Sequence, residues 1–125
     1  MSYFYMLLAS LVLSFTLSDI PHGELERAFN LNDANAIVEL SKEKVLLNIL
    51  GNEGVYSQSQ TKIILKDFFT KQPKGKFAFI FRGKEADSGS FSIGNYIVKG
   101  STFRVTFHFK KIGSVFRIET LNIEQ

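Results

Sequence analysis

The sequence predicts an α+β domain in which N-terminal helices and one long helix pack in the concave face of a curved antiparallel sheet. Three observations predict it. Residues 57–69 combine a capping-box start with an apolar stripe at helical spacing. From Lys76 onward the apolar period changes from 3.6 to 2. Near Glu119 and Thr120 the apolar parity of the last strand slips by one residue, which marks a β-bulge that bends a sheet.

The long helix is read from local chemistry. Ser57 is placed to cap it and Gln60 to reach back to the cap. Thr61, Ile64, Leu65, Phe68 and Phe69 then follow i, i+3, i+4, i+7, i+8 spacing, and Pro73 and Gly75 stop the helix. Upstream, Asp19 is expected to cap a short helix with Pro21 in its first turn and Leu25, Ala28 and Phe29 on its apolar face. His22 falls in that turn and is expected to be exposed. Asn32 is expected to cap a second helix carrying Ala34, Ile37 and Val38, closed by Ser41, Lys42 and Glu43. Residues 44–50 read as a strand with Val45, Leu47 and Ile49 on one face, and residues 51–54 as the turn feeding the long helix.

The sheet is read from alternation. Phe77, Phe79 and Phe81 share one face of a first strand, and residues 85–89 form a polar loop. Phe91, Ile93 and Ile97, with Asn95 among them, are expected to point inward from the next. Lys99, Gly100 and Ser101 turn the chain into the cleanest alternation, Phe103, Val105, Phe107 and Phe109 against Arg104, Thr106, His108 and Lys110. A turn at Ile112 and Gly113 sets Phe109 against Phe116, and the bulge restores Val105 to Leu121.

Length and composition set the bounds. A chain of 125 residues with 45% hydrophobic content forms one domain with a real core. Its thirteen Phe residues and absence of Trp fit a packed β-rich interior. The formal charge of +3 is mildly basic, and its one local cluster, Lys71, Lys74 and Lys76, comes with no nucleic-acid-binding motif. The absence of Cys excludes disulfides, thiol catalysis and Cys-ligated zinc. The two histidines, His22 and His108, are far apart and have no carboxylate at ligand spacing, so neither a metal nor a cofactor is expected. Residues 3–17 form an uncharged, mostly apolar run, sized for a signal peptide core and short for a membrane span. Residues 1–18 are therefore expected to be a signal peptide, cleaved before Asp19, although no Lys or Arg precedes the run. Residues 19–125 are then a single exported domain, periplasmic or secreted, that meets a membrane only through an uncleaved leader.

The order helix, helix, strand, long helix and antiparallel strands resembles the nuclear-transport-factor-2-like superfamily, a cone-shaped cystatin-like roll. The runs Gly54-Val55-Tyr56-Ser57, Ile64-Leu65-Lys66-Asp67-Phe68-Phe69 and Gly100-Ser101-Thr102-Phe103-Arg104-Val105 are similar to a family of small exported bacterial proteins of unknown function within it. The resemblance implies a fold and an export signal but no activity. It also implies a sheet surface through which superfamily members commonly dimerise.

Three functional readings follow. The first is a non-catalytic binding or interaction module with a small apolar ligand in the cone. The second is an isomerase- or cyclase-type enzyme, for which Tyr56 and Asp67 are the nearest catalytic candidates. The third is a homodimer acting through its sheet face, where Tyr96, Arg104, Thr106, His108, Arg117 and Glu119 are the candidate binding residues. Arg104 and Arg117 are the partners expected for Glu119.

Overall fold

The computed structural model describes residues 19–125, so the expected leader lies outside the described residues. Within the described residues, three helices, α1 (His22–Asn30), α2 (Ala34–Glu39) and α3 (Gln58–Thr70), cover a six-stranded sheet. The strands are β1 (Ser41–Ile49), β2 (Asn52–Ser57), β3 (Lys76–Phe81), β4 (Ser90–Val98), β5 (Ser101–Ile112) and β6 (Val115–Glu124). Their order is β2-β1-β6-β5-β4-β3. The β1–β6 pair is parallel and the other pairs are antiparallel. This is the predicted α+β class, with helices on one face of a curved, mainly antiparallel sheet.

Helix α3 forms as its sequence dictates. The Ser57 hydroxyl accepts from the Gln60 N–H at 3.2 Å, and the Gln60 side chain accepts from the Ser57 N–H at 3.0 Å. Both satisfy donors that a helix start leaves unpaired. Thr61, Leu65, Phe68 and Phe69 are buried and Ile64 is half-buried, so the stripe faces the sheet as spaced. The first two helices bury the expected residues but start differently. Pro21 stands at the N-cap of α1 with no side-chain cap, in place of Asp19. Asp33, not Asn32, caps α2 by accepting from the Ala36 N–H at 3.0 Å. Asn32 instead adopts φ 52°, and its side chain accepts from the Tyr96 hydroxyl at 2.6 Å. Ser41, Lys42 and Glu43 do not close α2 but open β1, held by a bond from the Ile118 N–H to the Leu40 carbonyl at 2.9 Å.

Phe29 is at the centre of the core. Its ring stacks on Phe77 at 4.7 Å and meets Phe69, Phe107 and Tyr96 edge-on at 5.5, 5.8 and 5.9 Å. Burial of a side chain of this size contributes on the order of 2 kcal/mol before packing is counted. Phe68 extends the cluster to Phe103 at 5.3 Å. The space beneath the middle of the helical layer is therefore filled by rings.

Bulges bend the sheet where the parity slips. Phe109 pairs with Ile118 and His108 with Thr120, which leaves Glu119 as the extra residue. The bulge falls where the sequence predicts it. The preceding turn is Gly113-Ser114, not Ile112-Gly113, because Ile112 pairs with Val115. Phe109 therefore meets Ile118 and Val105 meets Ile123, a shift of two residues that leaves every side chain on its expected face. A second bulge at Ile80 separates the Phe79–Gly94 and Phe81–Ile93 pairs and turns Phe81 outward, against expectation. Residues 51–54 are not one long turn. Leu50 and Gly51, at φ 52° and 92°, make a two-residue turn, and the chain returns as β2.

Candidate functional site

Strand β4 buries Tyr96 and Val98 but turns its Phe and both its Ile residues to the outer face. Its inner residues are Ser92, Gly94, Tyr96 and Val98, all buried. Its outer residues are Phe91, Ile93, Asn95 and Ile97. Phe91 and Ile97 are 43% and 51% exposed, so the expectation that Phe91, Ile93 and Ile97 point inward is corrected. The turn decides the matter. Lys99 and Gly100 both have positive φ, at 40° and 81°, and form a two-residue hairpin turn rather than the three-residue loop expected through Ser101. Val98 is thereby set against Ser101 and Tyr96 against the inward Phe103. The interior also needs small residues at this point. A Cβ on Gly94 would lie 2.3 Å from Cζ of Phe77.

The outer face that results is aromatic and aliphatic at its β3–β5 end. Phe81 stacks on Phe91 with centroids 5.1 Å apart, and Phe91 stacks on His108 at 5.9 Å. Ile93, opposite Thr106, and Ile97, opposite Thr102, continue the row along β4. The candidate residues do not all share this face. Arg104 is exposed between Asn95 and Glu124, Thr106 is half-buried, and His108 is exposed against Phe91, all on the outer face. Arg117 donates from Nη1 to the Glu39 carbonyl at 2.6 Å. Glu119 pairs with Lys42 at 3.0 Å and with neither Arg104 nor Arg117 as expected, because the bulge carries it toward β1. Tyr96 is fully buried on the inner face, so its expected place on the outer face is corrected. The residues missed from the sequence are Phe81, Phe91, Ile93 and Ile97. The Lys99-Gly100 pair, read as a primed turn, is the signal that would have found those on β4.

Tyr56 and Asp67 come together at a pocket of about 270 Å³ between the β1–β2 turn and the C-terminal half of α3. Leu47, Ile49, Leu50, Ile64 and Phe68 supply its apolar lining. Asn52, Tyr56, Asp67, Lys71 and Gln72 supply its polar groups. Asp67 pairs with Lys71 at 2.8 Å, and both side chains are mostly exposed. A solvated carboxylate already paired with an ammonium suits binding better than proton abstraction in a closed site. Leu50, at φ 52°, is 46% exposed at this pocket. A left-handed backbone costs a bulky residue roughly 1–3 kcal/mol.

His22 is half-buried, not exposed as expected. Its Nε2 lies 2.6 Å from the buried Ser92 hydroxyl, which accepts from the Gly83 N–H at 3.0 Å. The ring meets Phe79 edge-on at 4.9 Å. Burial lowers the His22 pKa below the usual histidine value, Arg82 lowers it further, and Glu85 opposes both. The neutral ring can accept a hydrogen bond from the Ser92 hydroxyl, which ties α1 to β4.

Among the described residues, no group of three or more His, Asp or Glu side chains is placed to hold a metal ion, and no helix is long and apolar enough to cross a membrane.

Helices on the concave face of a curved sheet, in this strand order, make a nuclear-transport-factor-2-like, cystatin-like fold. The sequence matches the domain of unknown function DUF4783 over residues 23–124, and the chain belongs to that family. A DUF4783 protein from Bacteroides fragilis is similar, with 23% identity and a TM-score of 0.75 over 86% of this chain and 99% of that one. An NTF-2-like protein of unknown function from Shewanella oneidensis matches at 19% identity and a TM-score of 0.63, over 82% of this chain and 92% of its own. A domain of unknown function with a cystatin-like fold from Nostoc punctiforme matches at 12% identity and a TM-score of 0.63, over 82% and 71%. At these identities the likeness is one of fold. No curated protein matches the chain.

Proposed function

We propose that this chain is an exported, non-catalytic interaction module that pairs with a second copy of itself through the outer face of the sheet. The observation that carries the reading is the inverted strand β4, with Phe91, Ile93 and Ile97 toward solvent and Ser92 and Gly94 toward the core. An antiparallel sheet with one free face normally keeps its polar residues there. The turn and the small inner residues decide which positions face outward, but they do not ask for a Phe and an Ile there, whereas an interface core of aromatic and aliphatic groups does.

The same row supports a second copy as the partner. Residues near a two-fold axis meet their own counterparts, so a charged residue there would face its like. The outer row of β4 carries no charge, while the outer row of β5 carries Arg104 and Lys110. An axis running by β4 places apolar groups on apolar groups and keeps the cations at the rim. Export rests on the uncharged run of residues 3–17.

Sedimentation velocity on the wild-type chain and on Phe91→Asp tests the proposal. The wild type is expected to sediment as a dimer and the variant as a monomer with an unchanged far-UV spectrum. A wild-type monomer at every concentration would overturn it, as would a variant that stays dimeric.

A further inference from the structure

The pocket at the β1–β2 turn is separate from the sheet's outer face and carries its own inference. Its lining comes from the inner side of β1 (Leu47 and Ile49), from the turn (Leu50) and from α3 (Ile64 and Phe68). The pocket volume is about 270 Å³. That is room for a molecule the size of leucine, below most drug-sized sites.

The polar groups say which head such a molecule carries. Asp67 in the last turn of α3 and Lys71 at its C-cap stand 2.8 Å apart, so the pocket offers one negative and one positive charge side by side. A lone anion gains from Lys71 and loses to Asp67, and a lone cation does the reverse. A zwitterion gains from both. The pair is exposed, and exposed pairs of this kind hold together weakly, so a ligand's two charges can replace it. Asn52, Tyr56 and Gln72 also line the pocket and carry neutral hydrogen-bonding groups. Leu50, exposed at this pocket in a left-handed backbone conformation, adds an apolar surface that the turn itself does not require.

We propose that this pocket binds a small zwitterion with an apolar body, of the class of the aliphatic α-amino acids. The ammonium meets Asp67, the carboxylate meets Lys71, and the side chain enters among Leu47, Ile49, Ile64 and Phe68.

The test is an NMR titration of the ¹⁵N-labelled full chain with L-leucine, isocaproate, isoamylamine and glycine. The second and third keep leucine's body with one charge each, and glycine keeps the head without the body. Leucine is expected to shift the amides of Leu50, Asn52, Ile64 and Lys71 and to bind at least about tenfold tighter than any of the other three. In Asp67→Asn the preference of leucine over isocaproate is expected to fall to within a factor of about three, because the ammonium has lost its partner while Lys71 remains. No shift at these residues with leucine overturns the proposal. So does a wild-type protein that binds isocaproate or isoamylamine as well as leucine, or a preference that survives in Asp67→Asn.

Discussion

Phe91 stacks on His108 across the β4–β5 pair, with ring centroids 5.9 Å apart and planes 30° apart, and both side chains are exposed on the outer face of the sheet. Phe81 stacks on the other side of Phe91 at 5.1 Å, so three rings form one continuous surface. An aromatic surface of this kind is a frequent anchor for a partner, which is why the proposed pairing is placed on this face.

The inverted strand has a steric origin that a single methyl group tests. Gly94 faces the core directly under Phe77, and an added Cβ would lie 2.3 Å from Cζ and 2.6 Å from Cε2 of that ring. Gly94→Ala is therefore expected to destabilise the fold by about 1–3 kcal/mol through overpacking. Urea unfolding followed by circular dichroism measures it. A cost near zero would mean that Phe77 has room to move and that the small residue at position 94 is not what directs β4's larger side chains outward.

The β1–β2 turn sets stability against binding. Leu50 and Gly51 occupy the two positive-φ positions of the hairpin, where Asn-Gly is the favoured pair. Leu50→Asn is expected to raise stability by about 1 kcal/mol by relieving the left-handed leucine. The same change removes an apolar group from the pocket, so leucine binding is expected to weaken while the unfolding midpoint rises. A midpoint that falls would show that the Leu50 side chain stabilises the fold more than its backbone strains it.

His22 makes stability depend on pH with a defined sign. Its pKa in the folded protein is below the ordinary histidine value of about 6.5, through burial first and Arg82 second, with Glu85 opposing. The folded state thus favours the neutral ring and the unfolded chain binds the proton more readily. The contribution is fully present above about pH 6.5 and is lost as pH falls from there through the lowered folded value. Urea midpoints between pH 7.5 and pH 5 are expected to fall more for the wild type than for His22→Gln. Equal slopes would remove His22 as the cause.

How much of the fold is legible in the sequence differs by element, for physical reasons. Helix α3 is legible from start to stop because its signals are local: the Ser57–Gln60 exchange, the Thr61-to-Phe69 stripe and Pro73 lie within one short stretch. The bulge at Glu119 is legible because side chains alternate strictly along a strand, so one inserted residue moves the whole apolar row to the opposite parity. Strand β2 escapes a reading by propensity because Asn52, Glu53 and Gly54 are poor strand formers and owe their conformation to pairing with β1. Strand β4 reads the wrong way round because apolar alternation ordinarily marks the core. The two-residue turn at Lys99 and Gly100 overrides it by fixing Tyr96 against Phe103. Tyr56 and Asp67 stand out singly in the sequence. Their common pocket does not, because the side chains around it come from a turn, two strands and a helix.

Whether the outer face of the sheet joins two copies is read most simply by isotope-filtered NMR on a mixture of labelled and unlabelled chains, which reports only contacts between one copy and another. Contacts are expected among Phe81, Phe91, Ile93 and Ile97. A sample with no contacts between copies, or with contacts confined to the helical face, would contradict the pairing of two copies through this sheet.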